Sequence, residues 1–265
     1  MRVNTLKSNV NEIINNLNDN DISYTKVKWY KDALIINNIS EEGIRKLSIY
    51  EDGKIYMQSL SSMIPALVME PQKNENILDM AAAPGGKTTQ MAALSNNLAL
   101  ITACEKNKIR TERLKYNLEK QGANKVNVLT QDARNLSEYF SFDKILLDAP
   151  CSGSGTINLE NKNIEQVFTE DLVNRSIKLQ FDLLKKAIST LKSGHELVYS
   201  TCSILNDENE NNLLKVLKMG NVEIVPIDEK FFEGIPTLPS SISGTLCVLP
   251  DDLYEGFFVA RLRKK

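Results

Sequence analysis

The chain has 265 residues, 42 % hydrophobic and 25 % charged, enough to bury a large core, and no apolar run is long enough to cross a bilayer. With 32 basic against 34 acidic residues there is no global positive field to gather polyanions. The four cysteines have the spacing of neither a disulfide framework nor a zinc site, so reduced thiols and no metal are expected. Met1 to Lys7 lacks the continuous apolar stretch of a signal peptide, which predicts a cytoplasmic location and no membrane association.

Residues 1–54 read as a small α+β module. A helix is expected near Val10 to Leu17, with short β-like runs at Tyr24-Thr25-Lys26-Val27 and Ala33-Leu34-Ile35-Ile36. The turn signal Glu51-Asp52-Gly53 marks the boundary with a second unit, 55–265, which opens on helical apolar spacing from Met57 to Met69. From Asn76 onward apolar strands alternate with amphipathic helices, the pattern of an α/β parallel sheet covered on both faces. Strands are expected near residues 77–80, 99–104, 126–129, 144–147 and 197–200, and helices near 88–94, 108–121 and 172–191, the last ended by Gly194. A helix near 207–218 and strands near 222–225 and 256–262 complete the sheet, and no internal repeat appears.

Ligands gather at the carboxyl ends of strands in such sheets, and three strand ends here carry chemistry. The first breaks into Ala81-Ala82-Ala83-Pro84-Gly85-Gly86-Lys87-Thr88. Gly86-Lys87-Thr88 copies the end of a P-loop, and Ile145-Leu146-Leu147-Asp148 copies the strand that holds its magnesium, which would make the chain an NTPase. The first glycine of that motif falls on Ala81, however, and Pro84 removes a backbone donor from the phosphate cradle. The dinucleotide turn G-x-G-x-x-G is absent, but Glu105 follows the second strand where an acid binds a ribose. A small-residue loop plus that acid suits S-adenosylmethionine, and Asp132 after the third strand is placed to accept from an adenine amino group. The other two strand ends lead to Cys151 and Cys202, each entering a loop of small polar residues where substrate can reach a thiol. Cys104 and Cys247 read as core.

Together these segments resemble the RNA cytosine-5 methyltransferases of the NOP2/Sun (RsmB/NOP) group. The likeness is carried by Arg2-Val3-Asn4-Thr5-Leu6-Lys7, Ala82-Ala83-Pro84-Gly85-Gly86-Lys87-Thr88, Asp148-Ala149-Pro150-Cys151-Ser152-Gly153-Ser154-Gly155, Tyr199-Ser200-Thr201-Cys202-Ser203 with Glu208-Asn209-Glu210, and Glu255-Gly256-Phe257-Phe258-Val259-Ala260. It implies a class I (Rossmann-like) methyltransferase sheet preceded by an RNA-binding module, S-adenosylmethionine as cofactor, a ribosomal or transfer RNA as substrate, and a chain acting as a monomer. Cys202 is then the nucleophile that adds to C6 of cytosine and makes C5 reactive, and Cys151 acts in release of the product. Asp148 becomes the acid at N3, with a raised pKa, and Lys87 assists from the cofactor loop. The implied cofactor-binding residues are Ala81, Ala82, Ala83, Pro84, Gly85, Gly86, Lys87, Glu105, Arg110, Asp132 and Asp148.

A DNA cytosine-5 methyltransferase would use the cysteine after proline, Cys151, but its Glu-Asn-Val signature is missing. A non-catalytic RNA-binding or ribosome-assembly factor on the same fold has no need of two thiols. Because the whole chain is near neutral, RNA affinity requires a local basic patch, for which Lys26, Lys28, Lys31, Arg261, Arg263, Lys264 and Lys265 are candidates. Trp29 and Tyr30 read either as stacking platforms for bases or as core. The single histidine, His195, is expected before the strand and on the surface, and with no further domain after Lys265 the choice of position falls to the N-terminal module, the groove or a partner.

Overall fold

The computed structural model describes residues 1–157, 168–228 and 232–265. The chain opens with β1 (Arg2–Val3), α1 (Val10–Asp19), β2 (Tyr24–Lys26), β3 (Leu34–Ile36), α2 (Glu41–Arg45), α3 (Ser48–Glu51) and β4 (Ile55–Tyr56). Asn9 caps α1 by accepting from the backbone N–H groups of Asn11 and Glu12, and Ile13 and Leu17, one turn apart, are its buried face. They join Met1, Val3, Ile22, Leu34, Ile44, Ile49 and Ile55 in a small core of their own. β4 pairs antiparallel with β1, Val3 opposite Ile55, so residues 55 and 56 complete the first unit and the connection begins at Met57. β1 and β4 are two residues each, too short to show a period in the sequence.

The second unit comprises α4 (Leu60–Met69), β5 (Asn76–Asp79), α5 (Gly86–Leu94), β6 (Leu100–Cys104), α6 (Lys108–Gln121), β7 (Val126–Leu129), β8 (Phe142–Asp148), α7 (Glu170–Thr190), β9 (Leu191–Thr201), α8 (Glu210–Lys218), β10 (Val222–Val225), β11 (Thr237–Leu238), β12 (Leu246–Val248) and β13 (Phe257–Lys264). They form a nine-stranded sheet in the order β11-β12-β13-β9-β8-β5-β6-β7, with β10 also pairing β13. Strands β5 to β9 are parallel, but β10 to β13 pair antiparallel, so the sheet is mixed rather than wholly parallel. Between β11, β12 and β13 no described residue forms a crossover helix, and parallel pairing needs such a crossover. Among the described residues no helix is long and apolar enough to cross a membrane.

Both faces of the sheet are buried, which is why its strands read as continuous apolar runs. Ile77, Leu146, Val198 and Val259 pack with α4 and α5 on one face. Their alternates Leu78, Ile145, Leu147, Leu197, Tyr199 and Phe258 pack with α7 and α8 on the other. α7 ends at Thr190 rather than running on to Gly194, because Leu191 is already extended and opens β9. Gly194, at φ +79°, lies within β9 where the register jumps from Phe142 opposite Leu191 to Lys144 opposite Glu196, a bulge that needs a left-handed residue. His195 therefore lies inside the strand, its Nδ1 3.1 Å from the Asp143 carbonyl oxygen.

Trp29 belongs to the core: its Nε1 donates to the Tyr254 hydroxyl at 2.8 Å and its ring meets Phe232 edge-on. Arg261 and Arg263 both donate to Glu196, and Lys264 donates to the Leu191 carbonyl oxygen, so these three cations serve the sheet.

The two units are pinned by the first residues of the chain. The buried Arg2 guanidinium donates from Nε to Gln58 Oε1 and from Nη2 to Thr89 Oγ1, both at 2.9 Å, tying β1 to the start of α5. Asn4 Nδ2 donates to the carbonyl oxygens of Gly53 at 2.7 Å and Gln121 at 2.8 Å, tying the module to the end of α6. Asn4→Ala leaves two buried carbonyl groups short of a donor and is expected to cost roughly 2–3 kcal/mol. Urea denaturation of the two proteins checks this, and an unchanged midpoint would contradict it.

Candidate active site

The carboxyl ends of β5, β6, β8 and β9 open onto one side of the sheet, at the point where the strand order reverses around β5. The loop after β5 turns through Gly85 at φ +107°, where an added Cβ would lie 3.0 Å from the Leu114 side chain. That turn aims the N-terminus of α5 at the cleft. Asp79 closes β5 and is 1 % exposed. It accepts from Thr88 Oγ1 at 2.7 Å, while its other oxygen, Oδ1, has no partner. Burial pushes its carboxyl up to about 6. Asp79 is absent from the site expected from sequence; its only signal is an acid ending an apolar strand just before a small-residue loop.

Two open clefts meet at Ala81. One, of about 380 Å³, is lined by Met80, Ala81, Glu105, Lys106, Arg110, Gln131, Asp132, Ala133, Pro150, Leu179 and Leu183. In it Glu105 Oε1 accepts from the Asn107 N–H at 2.8 Å, and Arg110 Nη2 donates to the Ala83 carbonyl oxygen at 2.7 Å. Asp132 caps the turn that follows β7, and the Arg134 hydrogen bond holds its carboxyl below the usual range. The other cleft, of about 570 Å³, is lined by Tyr56, Gln58, Ser59, Ser62, Asp79, the loop from Ala81 to Pro84, Lys87 and Asp148. A nucleoside joined to an amino acid matches this pair of clefts. The first offers the Glu105 carboxylate for ribose hydroxyls between apolar walls, and the second ends on the orphaned Asp79 oxygen, an acceptor for an ammonium group. Every cofactor-binding residue expected from sequence lies in or beside these clefts, Gly85 and Gly86 as the turn that shapes them.

The thiols stand beside the second cleft. Asp148 and Ser200 are opposite one another in the parallel β8–β9 pair, and Ser200 Oγ donates to Asp148 Oδ1 at 2.7 Å. The strands then diverge into loops carrying Cys151 and Cys202, whose Sγ atoms are 2.8 Å apart. The hydrogen bond from Cys151, assisted by the nearby Lys87 ammonium, holds the Cys202 thiol below its ordinary value. That same contact and burial push Cys151 well above its own. The contact therefore favours ionisation at Cys202 over Cys151. Burial raises Cys104 to about 12 and Cys247 to about 11, which suits their reading as core.

Lys87 Nζ lies 2.8 Å from Asp148 Oδ2, donates to Ser62 Oγ at 2.9 Å and sits 5.3 Å from the centre of the Phe257 ring. Lys87 thus faces a carboxylate rather than a phosphate cradle, which leaves the P-loop reading without support. Asp148, the acid expected from sequence, stands in an ion pair with Lys87. The two cysteine loops and β13 meet backbone to backbone: Gly155 N donates to the Cys202 carbonyl oxygen, and a Cβ on Gly155 would come within 2.0 Å of the Gly256 oxygen. Among the described residues no group of three His, Cys, Asp or Glu side chains could hold a metal ion.

Because Asp79 is raised from 3.8 to about 6 in the folded state, the folded chain binds more protons than the unfolded chain between those values. Its contribution to stability is complete below pH 3.8 and is lost as pH rises through about 6. Asp79→Asn removes that loss and is expected to stabilise the ligand-free chain at pH 7.5 by roughly 2–3 kcal/mol. Thermal melts at pH 4 and pH 7.5 check this; a variant less stable than wild type at pH 7.5 would contradict it.

A family model described as 16S rRNA methyltransferase RsmB/F matches residues 66–263. Ribosomal RNA small subunit methyltransferase F of Shewanella loihica is 34 % identical over 274 residues, covering 100 % of this chain and 56 % of that protein. A tRNA (cytosine(72)-C(5))-methyltransferase of Pyrococcus horikoshii is 35 % identical over 83 % of this chain and 55 % of its own length. The chain thus spans about half the length of the curated relatives it matches. The crystal structure of a methyltransferase homolog protein from Pyrococcus horikoshii superposes with a TM-score of 0.85 at 35 % identity, covering 100 % of this chain and 85 % of that one.

Proposed function

The chain belongs to the RsmB/F family of 16S rRNA methyltransferases, and on that footing we propose that it transfers a methyl group from S-adenosylmethionine to C5 of a cytosine in RNA. The observation that carries this reading is the Cys151–Cys202 pair at 2.8 Å, with opposed proton affinities, beside Lys87 and Asp148.

Bound in the two clefts, the cofactor supplies an electrophilic methyl group. Glu105 and Asp132 would hold its nucleoside end and Asp79 its ammonium, with the small residues Ala81 to Gly86 leaving room for close backbone approach. The Cys202 thiolate adds to C6 of the cytosine, and the displaced electron pair makes C5 nucleophilic. The negative charge that develops around N3 is met by the Lys87 ammonium, which Asp148 holds at 2.8 Å. After methyl transfer the C5 proton departs to water and the C6–S bond breaks. The departing Cys202 sulfur then regains the Cys151 S–H donor, which is the contribution of Cys151 to release. The exposed Lys106 and Arg110 of the first cleft, with Lys108 and Arg113 exposed on α6, supply a local basic surface for the RNA backbone despite the neutral balance of the chain.

Small subunit ribosomal RNA is the first substrate to test, and transfer RNA the second. Wild type, Cys202→Ala and Cys151→Ala are mixed with labelled S-adenosylmethionine and each unmodified RNA, then run on a denaturing gel. Cys202→Ala is expected to lower transfer by more than about 10³-fold and to form no adduct. Cys151→Ala is expected to accumulate an RNA–protein adduct. An adduct that survives in Cys202→Ala, or no transfer by wild type to either RNA, would overturn the reading.

A further inference from the structure

One buried carboxylate joins the two cysteine loops. Glu208, fully shielded from solvent between β9 and α8, accepts four hydrogen bonds. Its Oε1 receives the Ser152 N–H at 2.8 Å and Gln180 Nε2 at 3.0 Å. Its Oε2 receives the Ser152 hydroxyl at 2.5 Å and the Ser203 hydroxyl at 2.6 Å. Ser152 follows Cys151 and Ser203 follows Cys202, so the residue after each thiol is bound to the same carboxylate. Gln180 of α7 also donates to the carbonyl oxygen of Pro150, the residue before Cys151, and its amide is oriented by Asn212 Nδ2 donating to its oxygen.

The four donors match the four lone-pair directions of a carboxylate. Among the described residues no cation forms an ion pair with Glu208. A buried carboxylate held only by neutral donors leaves its field acting on its surroundings. Ser152 supplies two of the four donors and Ser203 one, so the carboxylate is bound more heavily to the loop of Cys151, where it opposes a second negative charge. A directed chain runs the other way, from the Ile204 N–H to Ser154 Oγ, from Ser154 Oγ to Ser203 Oγ, and on to Glu208, so the Cys202 loop is latched to the loop of Cys151.

We infer that Glu208 is a positioning residue for the cysteine pair: by accepting from the residue after each thiol it fixes their separation and assigns the shared proton to Cys151. This deepens the methyltransferase reading of the same site and rests on it for its catalytic meaning, while the thiols themselves report on it without RNA.

The full chain as wild type, Glu208→Gln and Ser152→Ala is treated with iodoacetamide at pH 7.5, and alkylation at each cysteine is followed by mass spectrometry of tryptic peptides. Because the thiolate is the reacting form, wild type is expected to label Cys202 about tenfold or more faster than Cys151. In Glu208→Gln that ratio is expected to fall to within about threefold, since an amide NH₂ both removes the charge and repels two donors. Ser152→Ala is expected to shift it in the same direction by less. Cys104 and Cys247 serve as internal reporters: while they stay unlabelled the fold is intact, and if Glu208→Gln exposes them, Ser152→Ala decides alone. Folded variants with the wild-type ratio, or a wild type without preference for Cys202, would overturn the assignment. Failure of wild type to methylate RNA would overturn the methyltransferase reading instead and leave the alkylation result to judge Glu208.

Discussion

Pairing of β8 with β9, parallel and with Asp148 opposite Ser200, is the constraint on which the rest of the site depends. Asp148 and Ser200, 52 residues apart in the chain, reach the same end of the sheet in step, and three and two residues later, respectively, the thiols meet at 2.8 Å. The register has no freedom to slip. Leu147 and Tyr199 face α7 while Leu146 and Val198 face α4, and a shift of one residue would exchange every one of these between two buried faces. The apolar side chains that hold the sheet together thereby also set the distance between the reacting groups.

Charge is distributed around that pair with little redundancy. The Lys87 ammonium reaches across from the first turn of α5, where it joins the second cleft to the acid that ends β8. Arg2 and Asn4 hold the N-terminal module against α5 and α6, and the segment that links the units, Tyr56 to Ser62, forms one wall of the second cleft. A perturbation of the module thus reaches the second cleft through a few buried hydrogen bonds rather than through an exposed hinge. The crossing of Gly155 over Gly256 does the same for β13, since neither position has room for a Cβ.

Much of this is legible in the sequence, for physical reasons that differ by element. Strands buried on both faces announce themselves as apolar runs, and α6 shows its ends through Asn107 as N-cap and Gly122 as a left-handed C-cap. Strands of two or three residues, such as β1, β4, β11 and β12, carry no period to read. Gly194 resembled a helix stop because a left-handed glycine serves a bulge as well as a cap. Trp29 beside lysines leaves stacking on bases and core packing both open, because its partners Tyr254 and Phe232 lie some two hundred residues away and only folding brings them to it. The same holds for Asp79 and Glu208: an acid in a sequence gives no sign that it will be buried, and burial is what makes both of them matter.

The central claim is that Cys202, not Cys151, bonds to the base. RNA carrying 5-fluorocytidine tests it most directly, because fluorine at C5 cannot leave as a cation and the adduct therefore persists. Incubation of the wild-type chain with such RNA and S-adenosylmethionine, followed by nuclease and tryptic digestion and mass spectrometry, locates the modified cysteine. The account predicts the nucleotide on the peptide that contains Cys202; its recovery on the peptide of Cys151 would contradict it.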